Sequence, residues 1–173
     1  VETTLQGMRE GALRDGREGG FHRYAGHADW TEPHFEKMLY DQALLSMVYL
    51  EAYQATRRRE YASTAREILA FTLRELRSPE GSFYSALDAH ETYYRSRDRR
   101  RLAKPGRDEK ILTDWNGLMI AALSLGGTVL DDPSLTAAAR RTADASLAHR
   151  PAGGLHHQSQ QPAFLDDYSF LVW

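Results

Sequence analysis

The 173 residues are 42% apolar and 27% charged, which are ordinary values for one globular domain and exclude a disordered or coiled-coil chain. A formal net charge of −2 argues against a nucleic-acid interface, and the absence of cysteine excludes disulfides, thiolate metal ligands and thiol redox chemistry. No apolar run approaches the length of a membrane span and no signal peptide opens the chain, so we expect a cytoplasmic protein with neither nucleic-acid nor membrane partners.

Both ends of the sequence are abrupt. The chain opens on Val1 rather than methionine, and it stops at Trp173 inside an apolar stretch without a polar tail. Because natural termini are usually polar and frayed, we expect a piece of a longer protein.

The spacing of apolar residues predicts four helices, which together make up more than half of the chain. The first spans 33–55, with Thr31 as its N-cap and Pro33 in its first turn. The others span 60–77, 114–130 and 133–149. Helices 33–55 and 114–130 are apolar nearly all round and should be buried, whereas 60–77 and 133–149 are one-sided and should lie at the surface.

Two repeated patterns accompany this alternation of buried and surface helices. Glycine turns followed by an apolar residue occur at 19–22, 81–84 and 153–156, and the buried segments begin alike, with an aspartate in register: Asp41, Asp114 and Asp167. A helix-pair repeat of this kind predicts an all-α fold, an incomplete (α/α)6 toroid of antiparallel helical hairpins. A helical solenoid is the alternative, although helices that are apolar on all sides favour the toroid.

In such a toroid the glycine turns and the starts of the inner helices share one mouth, where carboxylates and histidine can perform general acid–base catalysis and aromatic rings can face a sugar. Within helix 33–55, His34, Lys37 and Asp41 would share one face, which predicts an ion pair between Lys37 and Asp41. The residues predicted to be catalytic are Asp41, Asp114, Asp167 and His34, and those predicted to bind substrate are His22, Lys37, Asp88, Trp115, Asn116 and Tyr168.

Each of these residues also has a purely structural interpretation. An aspartate at a helix start stabilises the helix dipole, which could account for Asp41, Asp114 and Asp167. His22 and His34 could be buried core histidines, and the pair at 156–157 is interpreted as surface. The histidines of segment 27–34 lack a metal-ligand spacing and no phosphate-binding loop is present, so no metal or cofactor is predicted.

Four segments, in this order, resemble the spermatogenesis-associated-protein-20-like family: GGFHRYAGHADWTEPHFEKMLYDQALL, SPEGSFYSALDA, GRDEKILTDWNGLMIAAL and AFLDDYSFLV. The resemblance covers nearly the whole chain. It implies a thioredoxin-like domain followed by an (α/α)6 barrel similar to those of N-acylglucosamine 2-epimerases and six-hairpin glycosidases. It also implies a carbohydrate-type cleft at the starts of the inner helices, but it carries over no particular reaction.

The chain departs from that family in three respects. It lacks the thioredoxin-like domain and the later hairpins, which leaves inner apolar surface for a partner: the missing domain or a second copy of the chain. The basic stretch follows directly after Ala89, where relatives have a longer segment, and we therefore predict missing or disordered residues between 88 and 107. The histidine signature of the sugar epimerases does not align.

Two functional hypotheses follow. The first is a carbohydrate-active enzyme domain that uses acid–base chemistry on a sugar or glycoside, for which glycosidases need two carboxyl groups about 5–9.5 Å apart. The alternative is a non-catalytic binding or scaffold module of a protein that contains a thioredoxin-like domain, in which capping and salt bridges would occupy the aspartates.

Overall fold

The computed structural model describes residues 1–148, 154–159 and 161–173, and 56% of these residues are helical when the 3-10 turn is included, as the sequence predicts. The helices within these residues are α1 (Glu2–Glu10), α2 (Leu39–Thr56), α3 (Arg59–Glu75), α4 (Glu91–Arg95), α5 (Thr113–Val129), α6 (Pro133–Ala148) and α7 (Leu165–Val172). The predicted end of the fourth helix, His149, and Gly153 of the third glycine turn lie outside the described residues.

The long helices form two layers. Helix α5 packs between α2 and α7 in the inner layer, while α3 covers α2 and α6 covers α5 from outside. Both hairpins reverse direction through a left-handed residue within two positions of the end of an inner helix: Arg57 (φ 59°) one residue after α2, and Asp131 (φ 53°) two residues after α5. The fold is therefore the predicted one, an incomplete (α/α)6 toroid.

Glycines let the central helix α5 approach its neighbours closely. A Cβ added at Gly117 would lie 2.7 Å from the Phe170 carbonyl carbon on α7, and one added at Gly127 would collide with Thr136 on α6. A helix that is apolar nearly all round thus needs small residues on the faces that meet other helices.

Short antiparallel strands connect the helices. β1 (Tyr24–Ala25) pairs with β2 (Pro33–His34), and β3 (Lys37–Met38) pairs with β4 (Ala86–Leu87), which also pairs with β5 (Arg107–Asp108). Near the C-terminus, β6 (His156–Gln158) pairs with β7 (Gln161–Pro162).

The predicted start of the first helix is wrong. Residues 33–34 and 37–38 are strands, and α2 begins only at Leu39 with no side-chain cap, so Thr31 is not its N-cap. The reason is non-local: Lys37 and Met38 pair with β4, nearly fifty residues away, and this ladder overrides the local helical pattern. His34, Lys37 and Asp41 consequently do not share a helical face.

Side-chain amides fix each of the first two glycine turns to the inner helix that follows it. Gln42 accepts the Phe21 N–H at 2.9 Å through Oε1 and donates to the Phe21 carbonyl at 2.8 Å. Asn116 makes the same pair of bonds to Phe83, at 2.8 and 3.1 Å. Both phenylalanines are fully buried, so these bonds satisfy backbone groups that water cannot reach.

Two further expectations concern particular stretches of the chain. Residues 88–107 contain α4 and a 3-10 turn at Arg99–Arg101, and the missing segment predicted there stays a prediction. Within the described ranges, no helix combines the length and apolarity needed to cross a bilayer.

Candidate functional site

Asp41 lies at the start of the first inner helix, α2, and its carboxyl group is partly buried. Its Oδ2 atom is buried and has no hydrogen-bond partner among the described residues. Burial raises the pKa of Asp41 to about 7, although the Arg23 guanidinium favours the ionised form. A half-buried carboxyl group of this kind can exist in either protonation state near neutral pH, which suits proton transfer.

The neighbours of Asp41 are held by the small β1–β2 sheet. Arg23 donates to Glu36 Oε2 at 2.8 Å. His34 stacks on Tyr24 with ring centroids 4.9 Å apart, and its Nδ1 lies 3.5 Å from Glu36 Oε2. The predicted catalytic residue His34 thus lies against Glu36, whose partner Arg23 acts on Asp41 through its charge.

The starts of the second and third inner helices meet around Asp167, whose side chain is completely buried. Its Oδ1 accepts the Asp114 N–H at 3.0 Å, and its Oδ2 accepts the Phe164 N–H at 2.7 Å. His157 Nδ1 lies 3.0 Å from Oδ1 and 3.2 Å from Oδ2. The carboxylate thus ties α5, α7 and β6 together.

Asp114 lies beside this cluster and differs from Asp167 in how it is bonded. Its Oδ1 accepts the Trp115 N–H at 2.8 Å and lies 3.8 Å from His157 Nδ1. Burial raises the pKa of Asp114, with the Asp167 charge acting in the same direction, while the Trp115 hydrogen bond and His157 oppose the shift.

An aromatic contact joins the two acidic regions. The Tyr40 and Trp115 rings meet edge to face with centroids 4.8 Å apart. Because Tyr40 precedes Asp41 and Trp115 follows Asp114, this contact links the start of α2 to that of α5, which Asp167 ties to α7. We call this group of residues the rim: Tyr40, Asp41, Asp114, Trp115, His157 and Asp167.

Lys37 and His22 do not belong to the rim. Lys37 is fully buried and its ammonium pairs with Asp15 Oδ2 at 2.9 Å, so the predicted ion pair with Asp41 is wrong. Arg99 bonds the same Asp15 carboxylate at 2.8 Å. Burial opposes the ionisation of Asp15, but these two cations outweigh it and lower its pKa to about 2.

His22 is the core histidine of the structural interpretation. Its ring is buried against Phe35 and Tyr94, and its Nδ1 lies 3.1 Å from the Phe35 carbonyl oxygen. Burial, and after it the Lys37 charge, lowers the pKa of His22 to about 4, which keeps the ring neutral at pH 7.

The other predicted binding residues are dispersed. Asn116 is fully buried in its bridge to Phe83 and has no free face for a ligand. Asp88 is exposed next to β4, where its N–H donates to the Gly106 carbonyl at 2.9 Å. Tyr168 is 52% exposed on α7, directly after Asp167.

Sequence reasoning missed His157, Asp15 and Arg23. His157 was interpreted as surface, but only 17% of its side chain is exposed and it contacts two predicted site residues. The sequence does carry a signal for His157. This residue lies three positions after Gly154 of the third glycine turn, just as Arg23 lies three positions after Gly20 of the first. Asp15 carries no local pattern that would mark it as a partner of Lys37.

One cluster in the described part of the chain has the composition of a metal site. One potential ligand atom each from Asp114, His157 and Asp167 lies within 4.8 Å of the others. However, Asp167 already accepts two backbone N–H groups, and the nitrogen that faces the carboxylates is the one within bonding distance of Asp167. We therefore assign no metal to it.

A cavity of about 380 Å³ borders the same cluster. Ile111 and Thr113, just before Asp114, form one wall, and Leu155 and His156, just before His157, form another. Thr113 Oγ1 donates to the His156 carbonyl at 2.6 Å and holds the two walls together. The acidic residues themselves lie beside this cavity rather than in its wall.

Comparison with known structures defines the class of the fold. A sugar epimerase from a ruminal bacterium superposes with a TM-score of 0.76 over 92% of this chain and 43% of its own, at 17% identity. An α-1,6-mannanase of glycoside hydrolase family 76 from Salegentibacter gives 0.65 over 90% of this chain and 41% of its own, at 20% identity. The chain has the α/α toroid fold of these sugar-active enzymes.

Sequence comparison identifies a particular relative. The chain is 49% identical over 86 residues to spermatogenesis-associated protein 20 of the mouse, which confirms the resemblance found from the motifs over half of the chain rather than over nearly all of it. The aligned part is 50% of this chain but 11% of the mouse protein, so the chain spans only a small fraction of that relative. No protein-family model matches the chain.

Proposed function

We propose that the rim is a carbohydrate-binding acid–base site in which Asp41 is the proton donor. The observation that carries this proposal is the Asp41 carboxyl group. Its buried Oδ2 has no partner in the described part of the chain, and burial raises its pKa to about 7. A catalytic acid works best when its pKa lies near the working pH.

The surroundings of Asp41 fit a sugar. Tyr40 and Trp115 supply aromatic surface beside the acid, and the Arg23 guanidinium supplies donors for hydroxyl oxygens. Two structural neighbours are a sugar epimerase and a mannanase in complex with α-1,6-mannotetrose, and in that mannanase the replacement of two adjacent aspartates gives an inactive variant. This chain carries an adjacent pair, Asp166 and Asp167, at the start of α7.

The chemistry required of Asp41 is a single proton transfer. The protonated carboxyl group gives its hydrogen to a sugar oxygen as the bond from that oxygen to carbon breaks, and the electron pair of the broken bond stays on the oxygen. A water molecule then adds to the electron-deficient carbon and loses a proton to the solvent. Arg23 then stabilises the carboxylate that remains, which matches its effect on the pKa of Asp41.

Ligand-induced thermal stabilisation tests the proposal. The chain is screened against mono- and disaccharides, and a sugar at a hundred times its Kd should stabilise the fold by about 2.7 kcal/mol. Asp41→Asn should keep binding and lose turnover of the sugar found, whereas the matched control Asp144→Asn, exposed on α6, should keep both. If no sugar stabilises the chain, or Asp41→Asn turns over normally, the proposal is wrong.

A scaffold function is the second candidate, and a specific observation favours it. Lys37, Asn116 and Asp167, all predicted to act on substrate, are fully buried and occupied by structural bonds. This candidate predicts that Asp41→Asn leaves every interaction of the chain unchanged and that the chain binds a thioredoxin-like domain or a second copy of itself instead of a sugar.

A further inference from the structure

His157 has the geometry of an oriented base rather than that of a surface residue. Its side chain is 17% exposed, and its Nδ1 faces the buried Asp167 carboxylate at 3.0 and 3.2 Å. The ring packs edge to face on Phe164 with centroids 5.2 Å apart, which limits its rotation. One ring nitrogen therefore lies against a fixed acceptor, and the other is on the opposite side of the ring.

The bonds of Asp167 determine where the histidine proton lies. An ionised carboxylate only accepts hydrogen bonds, and two of its acceptor positions are taken by the N–H groups of Asp114 and Phe164. An unprotonated Nδ1 facing this carboxylate would place lone pairs against lone pairs. The hydrogen therefore belongs on Nδ1, and Nε2 carries the free lone pair.

We infer that His157 is a proton acceptor of the rim, held in its Nδ1–H tautomer by Asp167 as a positioning residue. In the step it performs, an O–H bond of a sugar hydroxyl or water breaks, a bond from Nε2 to hydrogen forms, and the electron pair stays on the oxygen. The resulting imidazolium is stabilised by the Asp167 carboxylate. The sugar as substrate rests on the proposed function, whereas the tautomer does not.

The tautomer can be measured without any substrate. Nitrogen-15 NMR of the imidazole rings in the full chain at pH 7.5 separates protonated from unprotonated ring nitrogens, and the His157 signals are those that disappear in His157→Gln. We expect a protonated Nδ1 and an unprotonated Nε2. Asp167→Asn should reverse the two or mix them, because an amide can donate to Nδ1 as well as accept from it.

The matched control is His156→Gln at the adjacent position. In the parent chain the Nδ1 atom of His156 lies 3.0 Å from the Ser159 carbonyl oxygen. This variant should leave the His157 signals in place. Circular dichroism of each variant confirms that it folds, and if His157→Gln is unfolded, two-dimensional correlation spectra of the parent chain and Asp167→Asn still identify the tautomer.

Three results would overturn the inference: an Nε2–H tautomer, a doubly protonated His157 at pH 7.5, or stoichiometric binding of Zn²⁺ or Mn²⁺ that is lost in His157→Gln. With a sugar from the screen, His157→Gln should lower turnover about 10²–10⁴-fold while its Kd changes less than about threefold. Unchanged turnover would also overturn it. If no sugar binds, the proposed function is wrong, and the NMR result alone then shows whether Asp167 holds His157 in the Nδ1–H tautomer.

Discussion

An aspartate lies at the start of α2 and at the start of α5, but the two carboxyl groups have different surroundings. At α2, the nearby Lys37 pairs with Asp15 instead, and no residue that the structure describes hydrogen-bonds the Oδ2 atom of Asp41. At α5, Asp114 lies against His157 and accepts the Trp115 N–H, within a cluster centred on Asp167.

This difference shows that the repeat determines where each aspartate lies but not which groups pair with its carboxylate. In both turns an amide of the following inner helix bonds the N–H and the carbonyl of a buried phenylalanine, so each aspartate is held close to a fixed turn. What distinguishes them is which distant segment supplies a partner: residues 13–22 divert the lysine at the first start, and β6 brings a histidine to the second. The following four experiments test that distinction.

The largest effect is expected from Asp15→Asn, because it leaves the Lys37 ammonium buried without its main counter-charge. Removing one partner of a buried ion pair costs about 3–5 kcal/mol of unfolding free energy. Urea denaturation at pH 7 measures it. Glu91→Gln breaks an exposed pair with Arg95 and should cost less than about 0.5 kcal/mol; equal losses for the two variants would refute the role assigned to Asp15.

Asp167→Ala should come next, at about 2–4 kcal/mol, because it leaves the N–H groups of Asp114 and Phe164 without acceptors. The adjacent Asp166→Ala is the control, since its exposed side chain supplies only charge near the helix start, worth about 0.3–1 kcal/mol. A loss of stability in Asp166→Ala as large as that in Asp167→Ala would show that the hydrogen bonds of Asp167 do not hold the starts of α5 and α7 together.

Asp41→Asn should change the pH dependence of stability. Burial raises the pKa of Asp41 in the folded chain to about 7 from its ordinary value of 3.8. Between these two pH values the folded chain holds a proton that the unfolded chain has released, so stability falls as pH rises. One pKa unit corresponds to about 1.4 kcal/mol, and partial exposure reduces the total to about 1–3 kcal/mol.

Urea denaturation should therefore find Asp41→Asn more stable than the parent chain by about that amount at pH 8, with the difference shrinking toward pH 4. Asp144→Asn should follow the parent chain at both values. A parent chain whose stability does not fall between pH 4 and pH 8 relative to Asp41→Asn would mean that Asp41 is ionised like an ordinary surface aspartate.

The smallest effect concerns the contact that joins the two starts. A double-mutant cycle of Tyr40→Leu and Trp115→Leu should give a coupling energy of about 0.5–1.5 kcal/mol, the usual value for an edge-to-face pair. Tyr24→Leu combined with Trp115→Leu is the control and should be additive. Additivity for Tyr40 and Trp115 as well would mean that the rim is two separate surfaces.

The helical hairpins could be predicted because their information is local. Apolar periodicity identified the inner and outer helices, and three of the four predicted helices begin within one residue of the observed start. The first begins six residues late because the extended residues around His34 and Lys37 pair with β1 and β4, and no local pattern encodes a partner that far away.

The site could be predicted only as a region. In the structure the Asp114 N–H bonds Asp167 and the Trp115 ring lies against Tyr40, whereas the roles predicted for the site residues stay predictions. Burial and pairing were not predictable, because whether Lys37 faces Asp41 or Asp15 depends on the packing of residues 13–22, and whether His157 is free depends on where β6 lies.

The amide bridges from Gln42 and Asn116 make the geometry of the glycine turns independent of the charge on the nearby carboxyl groups. Amides neither gain nor lose a proton over the physiological range, and their bonds to Phe21 and Phe83 are shielded from salt because all four residues are buried. The two glycine turns should therefore keep their geometry while Asp41, a few ångströms along the helix, changes its protonation state. Acidity at the mouth can thus change through mutation of the carboxyl groups alone, without any rebuilding of the turns that frame them.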